Sequence, residues 1–84
     1  MTGTRIYIGI DWSQEKHDVS FLNEQGASVL EFIIKQEVAG YKQLDEKRQQ
    51  FGAAASDCIV GIESAHTLLI DYLWGQGYTQ IYVL

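Results

Sequence analysis

The segment RIYIGIDW, residues 5–12, decides the fold once it is set beside CIVGIE, residues 58–63. Both are apolar runs that end in Gly-Ile followed by an acid, Asp11 in the first and Glu63 in the second. Because side chains alternate along a strand, each glycine shares a face with the acid two residues later. If the two strands lie side by side and parallel, about 4.8 Å apart, Asp11 and Glu63 converge at one edge of the sheet. Paired carboxylates of this kind bind the divalent cations that accompany phosphate substrates, so the pair is the candidate metal site.

The composition predicts one small packed α/β domain. The chain has 84 residues, of which 46 % are hydrophobic and 12 % aromatic, and these values argue against disorder. Its net charge of −5 argues against a segment that binds nucleic acid by itself, because binding needs basic residues that neutralise phosphates. Cys58 is the single cysteine and cannot form an internal disulfide, so a reduced, cytoplasmic setting is the default. No run approaches the ~18 apolar residues of a membrane span, and we expect no membrane association.

Hydrophobic periodicity and turn residues predict the element order βββαβαβ. The predicted elements are strands over 5–12, 16–22 and 27–35 with a turn at Gly26, a helix over 37–50 stopped by Gly52, a strand over 58–63, a helix capped by Ser64 and closed at Gly75 or Gly77, and a strand over 79–84. A right-handed crossover returns the fourth strand beside the first, which gives a mixed sheet of order 3-2-1-4-5. The last strand is apolar and leaves an exposed edge. We therefore expect an incomplete domain that self-associates.

The same periodicity predicts which side chains are buried. The expected helix stripes are Val38, Tyr41, Leu44 and Phe51 in the first helix, and Leu69, Ile70, Leu73 and Trp74 in the second. Cys58 is expected in the core and Trp12 in a packing role, whereas Lys42, Lys47 and Arg48 are expected on a solvated helix face. His17 is expected at the surface or half-buried, and His66 at an exposed helix start. Neither histidine has the spacing of a zinc ligand.

Two long strings carry a resemblance to a known family: GIDWSQEKHDVSFLNEQG, residues 9–26, and IVGIESAHTLLIDYLWGQGYTQIYVL, residues 59–84. In order and spacing they resemble the N-terminus of the DEDD-type insertion-sequence transposases, a family that includes the Piv-like DNA invertases. The resemblance implies an RNase H-like domain similar to the Holliday-junction resolvase RuvC. Residues 1–84 would then be the N-terminal portion of that catalytic domain, with its remainder and a C-terminal domain outside this chain.

The resemblance also implies the chemistry. Four acids of the family bind Mg²⁺ or Mn²⁺ for DNA strand cleavage and transfer; Asp11 matches the first and Glu63 the second, while Asp18 matches an acid taken as structural. Ser13 matches a small hydroxyl residue that follows the first acid. The third and fourth acids and a catalytic serine would lie beyond this chain, so the 84 residues alone are expected to be inactive. The partners that the resemblance implies are DNA and a structured guide RNA.

Two other function classes stay open at this stage. An ATP-binding domain of the sugar-kinase and actin type opens with a similar Gly-Ile-Asp strand, but its first hairpin needs small residues for phosphate contact where this chain has residues 12–15, WSQE. A non-catalytic assembly module would use the exposed fifth strand to pair with a partner. Metal-dependent DNA recombination is the leading hypothesis.

Overall fold

The computed structural model describes residues 5–13, 15–63 and 67–83, which form five strands and two α-helices. Their bounds are β1 Ile6–Trp12, β2 Lys16–Leu22, β3 Ser28–Lys35, α1 Val38–Phe51, β4 Cys58–Ile62, α2 Thr67–Gly75 and β5 Gln80–Val83, with a short 3-10 turn at Ala55–Asp57 before β4. The predicted element order is confirmed. Within the described residues, neither helix is long and apolar enough to cross a membrane.

The five strands form one mixed sheet in the order β3-β2-β1-β4-β5. β1 pairs antiparallel with β2 and β2 with β3, whereas β1–β4 and β4–β5 are parallel. The sheet confirms the predicted 3-2-1-4-5 order and the α/β, RNase H-like class. Both helices share one hydrophobic core with the sheet and so lie on the same side of it, as two right-handed crossovers that advance in the same direction require.

Glycines occupy two of the turns that the sequence predicts. Gly26 has φ 83° and closes the hairpin between β2 and β3, where the side-chain oxygen of Asn23 accepts hydrogen bonds from the backbone N–H groups of Gln25 and Ala27 at 3.0 Å. Gly52 has φ 86° and ends α1 by donating its N–H to the carbonyl of Gln49. Both positions need the left-handed conformation that glycine adopts without steric cost.

A single hydrophobic layer lies between the sheet and the helices. It takes residues of one sheet face from four strands, β1 to β4, together with one stripe from each helix. Its members on the sheet are Ile6, Ile8, Ile10, Val19, Phe21, Ile34, Cys58, Val60 and Ile62, and on the helices Tyr41, Leu44, Leu69 and Leu73. Among the residues that the structure describes, no helix packs against the other face of the sheet. We call this second face the open face.

Three residues predicted on buried helix stripes are exposed instead, and Phe51, the last residue of α1, is one of them at 37 %. Val38 is 67 % exposed because it is the first residue of α1, where few neighbours surround the chain. Trp74 is 50 % exposed. It follows the buried Leu73, and one residue turns a helix by about 100° away from the core.

Gly40 brings α1 unusually close to the end of β3. A Cβ built at Gly40 would lie 2.1 Å from the carbonyl oxygen of Lys35. Only a residue without a side chain fits this contact, so the glycine fixes where the helix begins relative to the sheet.

Candidate metal centre

The pairing of β1 with β4 brings the two predicted acids together. Ile10 is directly opposite Ile62 in the parallel register, and the N–H of Glu63 donates to the carbonyl of Ile10 at 3.3 Å. This bond continues the pairing one residue beyond β4. Asp11 and Glu63 are therefore the next residues along two adjacent strands, at the same end of the sheet.

Two rows of side chains cross the open face at this point. Gly9 is opposite Gly61 on one side and Ser20 on the other, which makes a row of small residues. Two residues farther along, Asp11 is directly opposite Asp18 of β2. The two rows line a shallow pocket of about 380 Å³, whose walls are Gly9, Ile10, Asp11, Asp18, Ser20, Leu22, Gly61 and Glu63.

Asp18 therefore lies at the same pocket as the predicted pair, although sequence reasoning treated it as structural. The signal was present in the hairpin: strands of equal length on either side of a short turn pair Asp11 with Asp18. Like charges directly opposite on neighbouring strands destabilise a sheet. The fold alone does not favour this arrangement, whereas a bound cation would relieve the repulsion.

The charges of this acidic edge are exposed and uncompensated within the described residues. Asp11, Asp18 and Glu63 are all exposed, and none of them takes part in the ion pair found in that part of the chain. Three such groups close enough to enclose a metal do not occur among the described residues. The arrangement is an open, two-carboxylate edge with a third acid beside it.

Comparison with known proteins gives the family of this chain. The model of the DEDD transposase family of the IS110 type, described as a transposase, matches residues 8–84, a range that includes both predicted ligands. The chain belongs to this family. A relative, the mini-circle putative transposase for IS117 of Streptomyces coelicolor, is 33 % identical over 69 residues, which are 81 % of this chain and 17 % of the relative. The chain thus spans about a sixth of that relative's length, and the family match favours a transposase fragment over the ATP-binding hypothesis.

His17 of the transposase chain is fully buried, so the expectation of a surface or half-buried residue was wrong. It lies on the core face of β2 with Val19 and Phe21, and that face is covered by the helices. Its Nδ1 accepts a hydrogen bond from the N–H of Ser13 at 3.2 Å, and the Ser13 hydroxyl donates to the carbonyl of Lys16. Ser13 therefore shapes the turn that joins β1 to β2.

A buried polar cluster around Asp45, which sequence reasoning missed, joins α1 to the segment before β5. Asp45 is 4 % exposed and accepts hydrogen bonds from Arg48 at 2.7 Å, Gln49 at 2.9 Å and the Tyr78 hydroxyl at 3.0 Å. Arg48 also donates to the carbonyl of Ala53 at 3.2 Å. The i, i+3 spacing of Asp45 and Arg48 was a usable signal for their pairing, whereas nothing local marked Tyr78.

The cluster corrects the prediction that Arg48 lies on a solvated helix face. Its guanidinium is partly buried because it donates hydrogen bonds to Asp45 and to the Tyr78 hydroxyl, and both of these residues are buried. Lys47 is half-buried over the ring of Phe32, 5.7 Å from its centroid, and Lys42 is exposed as predicted.

Burial also sets the ionisation of two core residues near this cluster. It raises the pKa of the Cys58 thiol to about 11, and the thiol donates to the carbonyl of Ala54. Cys58 is fully buried, as predicted. Burial likewise raises the pKa of the Tyr78 hydroxyl, which stays protonated and able to donate.

Three sequence predictions fall outside the described residues. They are the packing role of the Trp12 side chain, the helix cap at Ser64 and the exposed position of His66.

Proposed function

We propose that residues 1–84 are the N-terminal portion of the RNase H-like, RuvC-like catalytic domain of a mobile-element DNA transposase. Asp11 and Glu63 are the proposed ligands of Mg²⁺ or Mn²⁺ for strand cleavage and transfer. The observation that carries the proposal is the parallel register of β1 and β4, which sets the two carboxylates side by side at the end of adjacent strands. The family match over residues 8–84 supports it independently.

The donor set fits a hard divalent cation. Carboxylate oxygens are the ligands of Mg²⁺ and Mn²⁺, and Mg²⁺ is commonly held by one or two carboxylates together with water and substrate phosphates. An exposed edge with two adjacent acids leaves room for those phosphates. When bound, the cation would supply Lewis-acid stabilisation of charge on the reacting phosphate. The contribution of Asp11 and Glu63 is to hold and orient it, and Asp18 adds negative potential to the same pocket.

DNA is the proposed substrate, and the main DNA contacts are assigned to parts of the longer transposases that this chain does not contain. The chain carries six Lys and Arg against eleven Asp and Glu, so it repels a polyanion overall. We expect the 84 residues alone to bind Mn²⁺ weakly and to cleave nothing. The structured guide RNA stays a prediction of the family resemblance.

Metal titration of three variants tests the site. Mn²⁺ broadens NMR signals of nearby nuclei, so we expect loss of signal around residues 9–11 and 61–63 of the wild-type chain. Asp11→Asn and Glu63→Gln should each weaken Mn²⁺ binding by about tenfold or more. Glu24→Gln removes an exposed acid from the turn at the opposite end of the sheet and serves as the matched control. Equal Mn²⁺ affinity of all three variants would reject the assignment, as would metal-dependent DNA nicking that survives Asp11→Ala.

We also propose that the 84-residue chain self-associates through the open face or the β5 edge. Four large apolar residues are exposed there: Val29 at 43 %, Ile33 at 52 %, Tyr82 at 56 % and Val83 at 51 %. Apolar patches and free strand edges of this kind pair with a second copy unless they are covered. Light scattering at high micromolar concentration should show a dimer that Tyr82→Lys weakens. A monodisperse wild-type monomer would contradict the proposal.

A further inference from the structure

Two lysines are directly opposite each other on the open face, next to the acidic edge. Lys16 begins β2 and Lys35 ends β3, and the antiparallel register pairs them. By strand alternation Lys16 shares its face with Asp18, and Lys35 shares that face with Ile33. Both lysines are exposed.

The backbone holds this pair in place. The carbonyl of Lys16 accepts the Ser13 hydroxyl, and the N–H of Gln36 donates to the carbonyl of Glu15 at 3.0 Å, which extends the pairing of the two strands beyond the lysines. On the other side, Gly40 packs against the backbone of Lys35. Backbone contacts therefore fix the points at which the two lysine side chains leave the sheet.

The distribution of charge across these strands is not the one that favours folding. Opposite charges on facing strands stabilise a sheet and like charges destabilise it, yet here Asp11 faces Asp18 and Lys16 faces Lys35. Within the described part of the chain, neither lysine forms a salt bridge. The acid pair and the lysine pair are two residues apart along β2. This arrangement suits a ligand that presents a cation to the acids and an anion to the lysines.

We propose that Lys16 and Lys35 bind a backbone phosphate of a nucleic acid strand, beside the cation held by Asp11 and Glu63. The inference rests on the proposed function and names its substrate contact. Two residues along a strand span about 6.6 Å, and two strand spacings of about 4.8 Å separate the β1–β4 pair from the β2–β3 pair, so the two sites are roughly 12 Å apart. A nucleic acid strand with one phosphate at the metal would thus present a phosphate about two nucleotides farther along to the lysine pair. Lysine is a point charge that contacts phosphates without reading bases, so the contact is independent of sequence.

The test follows the lysine side-chain NMR signals of the 84-residue chain during titration with an eight-nucleotide oligothymidine, with and without Mg²⁺. We expect shifts at Lys16 and Lys35 that are larger with Mg²⁺, because the neighbouring acids otherwise repel the strand. Lys16→Gln and Lys35→Gln should each weaken binding about fivefold, the factor expected for one solvated charge contact at roughly 4 Å. Lys42→Gln, the same substitution at an exposed lysine of α1, is the control and should leave affinity unchanged.

A parallel titration with inorganic phosphate separates a strand from a free anion. Stronger binding of the oligonucleotide at equal phosphate concentration supports the proposal. Equal binding of both probes overturns the strand assignment, and equal shifts at Lys42, or no shifts at millimolar probe, overturn the site. Mn²⁺ binding by the Lys16→Gln variant reports separately on the acids, so a failure of the lysine pair is distinguishable from a failure of the metal site.

Discussion

Removal of the Asp45 carboxylate should cost this small domain a large part of its stability. Asp45 accepts three hydrogen bonds, from Arg48, Gln49 and Tyr78, and is nearly inaccessible to solvent. Asp45→Ala removes the acceptor but leaves a partly buried guanidinium and a fully buried hydroxyl behind. The loss therefore includes the penalty for the partners as well as the bonds.

The magnitude follows from those contacts. Breaking a buried ion pair by removing one partner costs about 3–5 kcal/mol. Arg48 keeps the carbonyl of Ala53 and the Tyr78 hydroxyl within reach, at 3.2 Å and 3.4 Å, which lowers the expected cost to about 3 kcal/mol. A domain of this length has a free energy of unfolding of roughly 4–13 kcal/mol in total. Tyr78→Phe, which deletes one neutral hydrogen bond, should cost about 1 kcal/mol.

Urea unfolding followed by circular dichroism measures both changes. Glu46→Ala is the matched control, since it removes an exposed acid from the next position of α1 and should change stability by less than about 0.5 kcal/mol. Asp45→Asn keeps the shape of the side chain and gives a measurable intermediate loss if the alanine variant does not fold. An Asp45→Ala chain as stable as Glu46→Ala would refute the role of the cluster.

Two other substitutions and one pH titration test the packing. Gly40→Ala should destabilise the chain by about 1–3 kcal/mol in urea unfolding despite the better helix propensity of alanine, because the new Cβ would meet the Lys35 carbonyl at 2.1 Å. Gly9→Ala, where an added Cβ has no heavy atom within 4 Å, is its control and should stay within about 0.5 kcal/mol of wild type; equal effects would contradict the close contact. The Cys58 thiol has a pKa raised from 9.0 to about 11, so the unfolded chain ionises first as pH rises. The contribution of the protonated thiol to the free energy of unfolding is complete below pH 9 and is lost between about pH 9 and 11. Cys58→Ala should remove this loss, on the order of 2 kcal/mol, from the pH dependence of stability.

The sequence was sufficient for the architecture because periodicity, turn glycines and crossover handedness all pointed to one topology. The alternation in residues 5–12 and 58–63 set which side chains share a face, and the handedness rule made the two strands neighbours. The meeting of Asp11 and Glu63 follows from those two facts. Asp18 joins this edge because the register of the β1–β2 hairpin pairs it with Asp11, which depends on the turn between the strands and not on periodicity.

The errors have a different physical origin. Periodicity identifies the face on which a residue lies, but not how completely that face is covered. This explains why His17 is buried and Trp74 is exposed, against the predictions. The Asp45 cluster depends on a contact between α1 and Tyr78, more than thirty positions along the chain. No local pattern encodes a contact of that range.

The two members of the candidate metal site belong to parts of the chain that should fold at different times. Asp11 lies in the β1–β2–β3 meander, whose pairings join near neighbours in sequence and close early at small entropic cost. Glu63 reaches Asp11 only after α1 has formed and β4 has paired with β1. We therefore expect the pair to be complete only at a late stage of folding. Until β4 is in place, this edge would present only the two acids of the meander, Asp11 and Asp18, without Glu63.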